Sequence, residues 1–164
     1  MDYYHKLCDF LVAACKFMVM VMVPLMAIIV IAQVVMRYVF KSPFIWAEEA
    51  ARYLLIWIAC LGSAYAVREK FHISVLFFHE KLQGHAKDSA TMIIHFLVIG
   101  FFVICVVSGF SLARSEWGQI SPGLGMRMSW VLISVPVGFS IMTLFTLEEL
   151  FADIGKIIKQ EPLG

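Results

Sequence analysis

The chain has 164 residues, of which 62% are hydrophobic and only 15% are charged, and its mean hydropathy is +0.87. A soluble domain of this length carries far more charge, so the composition excludes a soluble enzyme and predicts an integral membrane protein. The formal net charge of +1 argues against nucleic acid as a partner.

Four apolar runs are long enough to cross a bilayer, because about 30 Å of hydrocarbon takes about 20 helical residues. The runs lie at Phe17–Met36, Ala50–Val67, Ser89–Ala113 and Met128–Leu147. Backbone polar groups inside lipid must be paired internally, and the runs lack the alternation of barrel strands. The sequence therefore predicts an all-α integral membrane fold, a single four-helix domain over residues 1–164.

The first run is too long for the apolar core of a cleaved signal peptide, and it ends in Met36-Arg37-Tyr38. We expect a retained membrane anchor. The four cysteines lie in or near apolar runs and lack the spacing of metal or redox motifs. We interpret Cys8, Cys15, Cys60 and Cys105 as small packing residues.

The second run begins with charged residues. Glu48 and Glu49 lie four and three positions before Arg52, so on a helix both carboxylates can reach its guanidinium. The same stripe continues through Leu55, Ala59, Gly62 and Ala66. Small side chains let membrane helices approach closely, so this face predicts contact with a partner helix. Trp46 fits the interfacial aromatic belt, and Trp57 fits a packing position.

A catalytic interpretation of the two acids is weaker. Adjacent residues point about 100° apart on a helix. A neighbouring arginine also keeps carboxyl groups ionised, which suits a general acid poorly. A direct contact of Glu48 or Glu49 with an ion or a substrate remains an alternative to structural docking.

The loop after the second run, Arg68 to Asp88, contains an apolar patch, Ile73 to Phe78, that is too short to span. This pattern predicts an interfacial amphipathic helix on the membrane surface. His72 precedes the patch and is either a surface histidine or a contact residue.

The third run contains His95, which is a candidate proton relay or haem ligand because ionisable residues at membrane depth are often functional. A haem site in a bundle usually needs two histidines at matching depth. The other histidines, His5, His72, His79 and His85, fall in tails or the second loop. An interhelical hydrogen bond is therefore the favoured role of His95.

The third loop, RSEWGQISPGLGMR, is rich in glycine and contains Pro122, which indicates turns rather than a helix. Pro136 lies in the last run, where neighbouring helices can pair the carbonyl that a proline leaves free. Apart from the features above, the chain shows no nucleotide loop, no metal-ligand motif and no nucleophile with a base.

The orientation follows from lysine and arginine, which are retained on the cytoplasmic side. Eight of them fall in the N-terminus, the second loop and the C-terminal tail: Lys6, Lys16, Arg68, Lys70, Lys81, Lys87, Lys156 and Lys159. Five fall on the other side: Arg37, Lys41, Arg52, Arg114 and Arg127. This bias predicts that both termini are cytoplasmic.

Two clusters of motifs also resemble a known family. The first runs through Arg37-Tyr38-Val39-Phe40, Trp46-Ala47-Glu48-Glu49, Arg52-Tyr53-Leu54, Trp57, Leu61-Gly62, Arg68 and His72-Ile73. The second comprises Gly123-Leu124-Gly125-Met126, Trp130 and Pro136-Val137-Gly138. Together they resemble the small membrane subunit of TRAP transporters, the DctQ-like proteins. Leu76 departs from the pattern, because the family usually has an acidic residue shortly after the His-Ile pair.

The resemblance implies a tripartite uptake system in the bacterial inner membrane. A periplasmic binding protein would capture an organic acid, and a large membrane subunit would move it with Na⁺. This chain would support the large subunit within the lipid bilayer and hold no cofactor, the coupling Na⁺ being bound by the large partner. Subunit-interface or structural roles are then expected for Arg37, Trp46, Glu48, Glu49, Arg52, Trp57, Ala59, Gly62, Ala66, Arg68, His72, Trp130, Pro136 and Gly138.

Two other functions remain open at this point. A haem-carrying or structural anchor of a redox complex would use His72 and His95. A small carrier that works alone would need transport by this chain without partners.

Overall fold

The computed structural model describes residues 2–42, 44–79 and 85–158, with side chains for 6–42, 44–69 and 91–155. The helices are α1 (Asp2–Tyr38), α2 (Ile45–His79), α3 (His85–Ser115), the one-turn α4 (Ser129–Leu132) and α5 (Ser134–Ile158). A 3₁₀ turn, Glu116–Gly118, follows α3. Four stretches are long and apolar enough to cross a membrane: Lys6–Tyr38, Ile45–Glu69, Thr91–Gly118 and Ser129–Gly155. The predicted four-helix fold class is confirmed.

The helices pack in the order α1, α2, α5, α3. Helix α1 lies along α2, α2 packs against α5, and α5 packs against α3, whereas α1 meets α5 only to a small extent. A small core forms where α2, α3 and α5 meet, around Ala64, Phe102 and Met142. Many large apolar side chains of α1 and α3 point outward, as expected where the solvent is lipid.

Helix α5 approaches both of its neighbours closely through small residues. A Cβ added to Gly138 would lie 2.9 Å from the Cβ of Cys60 on α2, and one added to Gly109 would lie 2.9 Å from the Cδ of Pro136. Gly138 therefore lets α5 cross α2, and Gly109 lets α3 receive the proline ring. Both crossings use the small-residue packing typical of membrane helices.

Four hydroxyl groups of α5 are paired with backbone carbonyl groups three or four residues earlier. Ser134, Ser140, Thr143 and Thr146 donate to the carbonyl oxygens of Val131, Pro136, Phe139 and Met142 at 2.6–3.0 Å. This pairing lets polar side chains occupy an apolar helix at little cost. Pro24 lies within the continuous helix α1.

The helices extend beyond the predicted runs, and the clearest difference is at α2. The patch from Ile73 to Phe78 is helical, as expected, but it continues α2 without a break to His79. No glycine or proline lies between Arg68 and His79 to end the helix. The position of this segment on the membrane surface stays a prediction, because its side chains lie outside the described set.

Candidate subunit interface

One face of α2 is left open between its neighbours. The exposed positions follow one stripe of the helix: Glu48, Arg52, Leu55, Ala59 and Ser63. Gly62, beside this stripe, has no atom within 4 Å of where a Cβ would stand, and Ala66 is half-buried. The described helices of the chain thus leave the predicted small-residue face largely uncovered.

The polar end of this face is an ion pair. The Arg52 guanidinium donates to the Glu48 carboxylate at 3.0 Å, and both side chains are exposed. An exposed pair with this spacing stabilises a helix by about 0.3–0.5 kcal/mol. The pair mainly keeps the two charges of Glu48 and Arg52 matched at the exposed start of this face.

Glu49 faces a different neighbour from Glu48. Its carboxylate accepts hydrogen bonds from the Ser121 hydroxyl and from the backbone N–H groups of Gly123 and Leu124, the latter two at 3.0 Å. The sequence indicated that both acids could reach Arg52, but the guanidinium bonds Glu48, and Glu49 bonds the third loop. The roughly 100° between successive helical residues separates the two acids.

The third loop forms a small hairpin, Gln119–Met128. An antiparallel bridge joins Ile120 to Arg127, and the Ser121 N–H donates to the Met126 carbonyl at 2.8 Å. Gly125 takes the left-handed conformation at φ +66°, which favours glycine. Sequence reasoning identified turns here but not their pairing with α2.

Gly123 is the point of closest approach between the hairpin and α2. A Cβ at this position would lie 2.8 Å from the Glu49 Oε2 atom, so a side chain would displace the carboxylate. The hairpin tip therefore needs glycine in order to donate its backbone N–H to Glu49.

A second ion pair, which is largely buried, lies at the other end of the α2 membrane span, Ile45–Glu69. Arg68 binds Glu148 of α5 with two parallel hydrogen bonds, one of them 3.2 Å long, and lies 5.7 Å from the centre of the Phe145 ring. Glu148 is only 5% exposed. Arg68 also reaches Asp9 of α1 at 3.4 Å, so one guanidinium joins three helices.

Sequence reasoning singled out Arg68 but missed Glu148. The available signal was the Leu147-Glu148-Glu149-Leu150 sequence, which places carboxylates at the end of an apolar run. Acids in that position need a cation from another helix.

The remaining predicted residues are spread over the fold. Trp46, Trp130 and Arg37 are exposed near helix ends, Trp57 is half-buried on α2, and Pro136 and Gly138 lie at the helix crossings. His72 lies in α2, and its side chain is outside the described set.

His95 is buried, and its Nδ1 lies 2.9 Å from the Thr91 carbonyl oxygen one turn earlier in α3. Its favoured role in an interhelical hydrogen bond stays a prediction. Among the residues that the structure describes, no three His, Cys, Asp or Glu side chains could together hold a metal ion. The cysteines are free; Cys8 and Cys15 are buried, and Cys60 and Cys105 are half-buried.

The chain was compared with known proteins. The family model of the DctQ component of tripartite ATP-independent periplasmic transporters matches residues 26–155. The sialic acid TRAP transporter small permease protein SiaQ of Vibrio cholerae is 30% identical over 132 residues, which cover 79% of this chain and 76% of that protein. The ectoine TRAP transporter small permease protein TeaB of Halomonas elongata is 27% identical, over 71% of this chain and 62% of TeaB.

A longer relative also matches. The sialic acid TRAP transporter permease protein SiaT of Haemophilus influenzae is 27% identical over 117 residues. The match covers 71% of this chain but only 19% of SiaT. A segment similar to this chain is therefore a minor part of that larger permease.

Proposed function

Since the chain belongs to the DctQ family and is a small permease subunit of a TRAP transporter, we propose that it is the static scaffold on which a large membrane subunit works. It contributes no transport site of its own. The large subunit binds the coupling Na⁺ and moves an organic acid that a periplasmic binding protein delivers. The complex lies in the bacterial inner membrane, with both termini of this chain in the cytoplasm.

The open face of α2 carries this proposal. Gly62 has free space around it, and Ala59 and Ser63 are exposed although α2 lies between α1 and α5. Small residues on a membrane helix allow the backbone of a second helix to pack more closely. A helix of the large subunit fits this face better than lipid does, because disordered acyl chains gain little from a groove of small side chains.

The longer relative supports the large membrane subunit as the partner. In SiaT, a segment similar to this chain shares one polypeptide with a much larger permease part. Two parts of one membrane polypeptide are held close together. When the two parts are separate proteins, as this chain and a large subunit would be, they are suited to contact each other in the same way. We therefore assign the α2 face to the large membrane subunit.

The partner proteins, and not this chain, select the transported compound. Two relatives of this chain are small permease proteins named for different transported compounds, sialic acid and ectoine. A scaffold that does not touch cargo is free to serve several, whereas the binding protein and the large subunit must discriminate. For this chain we propose an organic acid as the class.

A pair of glycine variants tests whether the open face of α2, the docking face, binds the large subunit. Gly62 on α2 and Gly100 on α3 both have free space where a Cβ would stand. We expect Gly62→Leu to lower the yield of large subunit that co-purifies in mild detergent by about tenfold, equivalent to about 1.4 kcal/mol. Gly100→Leu should leave the yield unchanged.

The amount of each variant in the membrane controls for folding. Full co-purification of the Gly62→Leu variant would contradict docking through α2. A loss with Gly100→Leu alone would place the interface on α3.

A further inference from the structure

The hairpin Gln119–Met128 exposes two large apolar side chains and buries one polar side chain. Its Ser121 side chain is turned inward onto Glu49 and is 1% exposed, whereas Ile120 and Met126 are 65% and 48% exposed. A hairpin in water instead turns its apolar side chains inward and its polar ones outward. Ile120 and Met126 indicate an apolar medium along part of the outer side, which also carries the exposed polar residues Gln119 and Arg127.

The position of the hairpin identifies that medium. It joins two candidate membrane spans, one ending at Gly118 and the other beginning at Ser129, so it cannot extend far from the bilayer surface. Trp117 and Trp130 flank it, and both rings are exposed. Exposed tryptophans are enriched where hydrocarbon meets headgroups.

The charge next to the hairpin also fits lipid. The Arg127 guanidinium lies 5.3 Å from the centre of the Trp117 ring, and Arg127 is exposed. Such a stacked cation at headgroup level can bind a lipid phosphate while its apolar stem stays with the ring.

We propose that the hairpin is a lipid-binding element in the headgroup layer, with Ile120 and Met126 in contact with phospholipid chains. Glu49 is its positioning residue. The carboxylate takes up three donors of the hairpin, which removes their need for water and fixes which side chains face the bilayer. The proposal does not depend on the docking face of α2.

Spin labels test the proposal in the assembled transporter. The label is placed on Met126→Cys or Ile120→Cys, with the native cysteines replaced by alanine, in vesicles of phosphatidylethanolamine and phosphatidylglycerol. Ile104→Cys, which is 65% exposed in the middle of the Thr91–Gly118 span, is the reference for a label that faces lipid. Power saturation then compares collisions with oxygen, which concentrates in lipid, and with a water-soluble nickel chelate.

We expect the oxygen accessibility to exceed the nickel accessibility at positions 126 and 120, as it should at position 104. A nickel accessibility above that of oxygen at positions 126 and 120 would place the hairpin in water and overturn the proposal. Shielding from both reagents would mean that a protein partner covers the hairpin, which also overturns it.

The role of Glu49 is tested in the same labelled protein. Glu49→Ala should increase the mobility of the label at position 126 and raise its nickel accessibility, because it removes the single carboxylate oxygen that accepts all three hairpin hydrogen bonds. Glu48→Ala, one residue away on the exposed side, should change neither. Equal spectra for the two variants would remove Glu49 from this role.

Discussion

At the scale of single residues, two carboxylates are held by donors from distant parts of the chain. Glu49 is bonded by the hairpin, and Glu148 is bonded by Arg68. An ionised group near the bilayer is costly unless such partners satisfy it. Each carboxylate thereby links segments that are far apart in sequence.

The Arg68–Glu148 pair predicts a characteristic pattern of stabilities. Glu148→Leu removes the main partner of Arg68, whose side chain is 22% exposed. Among the residues with described side chains, only Asp9 stays within reach of the guanidinium, so we expect a loss of about 1–3 kcal/mol in unfolding free energy. The double variant Arg68→Met with Glu148→Leu should recover most of this loss, since no buried charge remains. Thermal unfolding in detergent measures both.

The exposed pair of α2 provides the control. Glu48→Leu should change the stability by less than about 1 kcal/mol, because its partner Arg52 stays solvated. A double variant no more stable than Glu148→Leu alone would show that the buried charge is not the cause.

In the Glu49–Ser121 and Arg68–Glu148 contacts, the sequence pointed to the α2 residue but not to its partner. Glu49 and Arg68 stood out as charges at the ends of an apolar run, and helical spacing correctly put Glu48 within reach of Arg52. Their partners Ser121 and Glu148 depend on how α2 meets segments some 70 to 80 positions later. Periodicity carries no information about that meeting.

At the scale of elements, α5 is held by its crossings with α2 and α3. The four apolar runs were sufficient to predict the helices, because length and composition decide membrane spans. The end of α2 was harder to place, because polarity after Arg68 suggested a loop whereas the lack of a helix breaker kept the chain helical. The crossing at Gly138 was also hidden, since its contact is with Cys60 and not with the small-residue stripe.

Two glycines of α5 test the crossing. Gly138→Ala would bring a Cβ within 2.9 Å of the Cβ and 3.1 Å of the carbonyl oxygen of Cys60, so we expect a loss of about 1–3 kcal/mol in stability. Gly155→Ala, where nothing lies within 4 Å, should be neutral or slightly stabilising because alanine favours helix. Equal melting temperatures for both variants would contradict a tight crossing at Gly138.

At the scale of the whole molecule, the helices form a row from α1 through α2 and α5 to α3. The structure shows apolar side chains on the outer surfaces of α1 and α3 and a half-covered α2 between α1 and α5. This arrangement offers broad faces to lipid and to a partner. It suits a supporting subunit.

Reconstitution in vesicles tests the proposed scaffold role directly. We expect vesicles that contain only this chain to show no uptake of an organic acid above empty vesicles. Addition of the large subunit, the binding protein and a Na⁺ gradient should restore uptake. Accumulation of the acid by this chain alone would refute the scaffold role.

The contacts of Glu49 and Arg68, at the two ends of the α2 membrane span, also bear on the membrane in which the protein works. At about 1.5 Å per residue, Glu49 and Arg68 are about 28 Å apart along the helix axis, close to the thickness of bilayer hydrocarbon at about 30 Å. A markedly thicker bilayer would draw one of these ends into acyl chains, and helix tilting could not relieve the strain, because tilting shortens the span further. The distance between these contacts therefore matches ordinary bilayer hydrocarbon, and we expect the subunit to lose stability in lipids with markedly longer acyl chains.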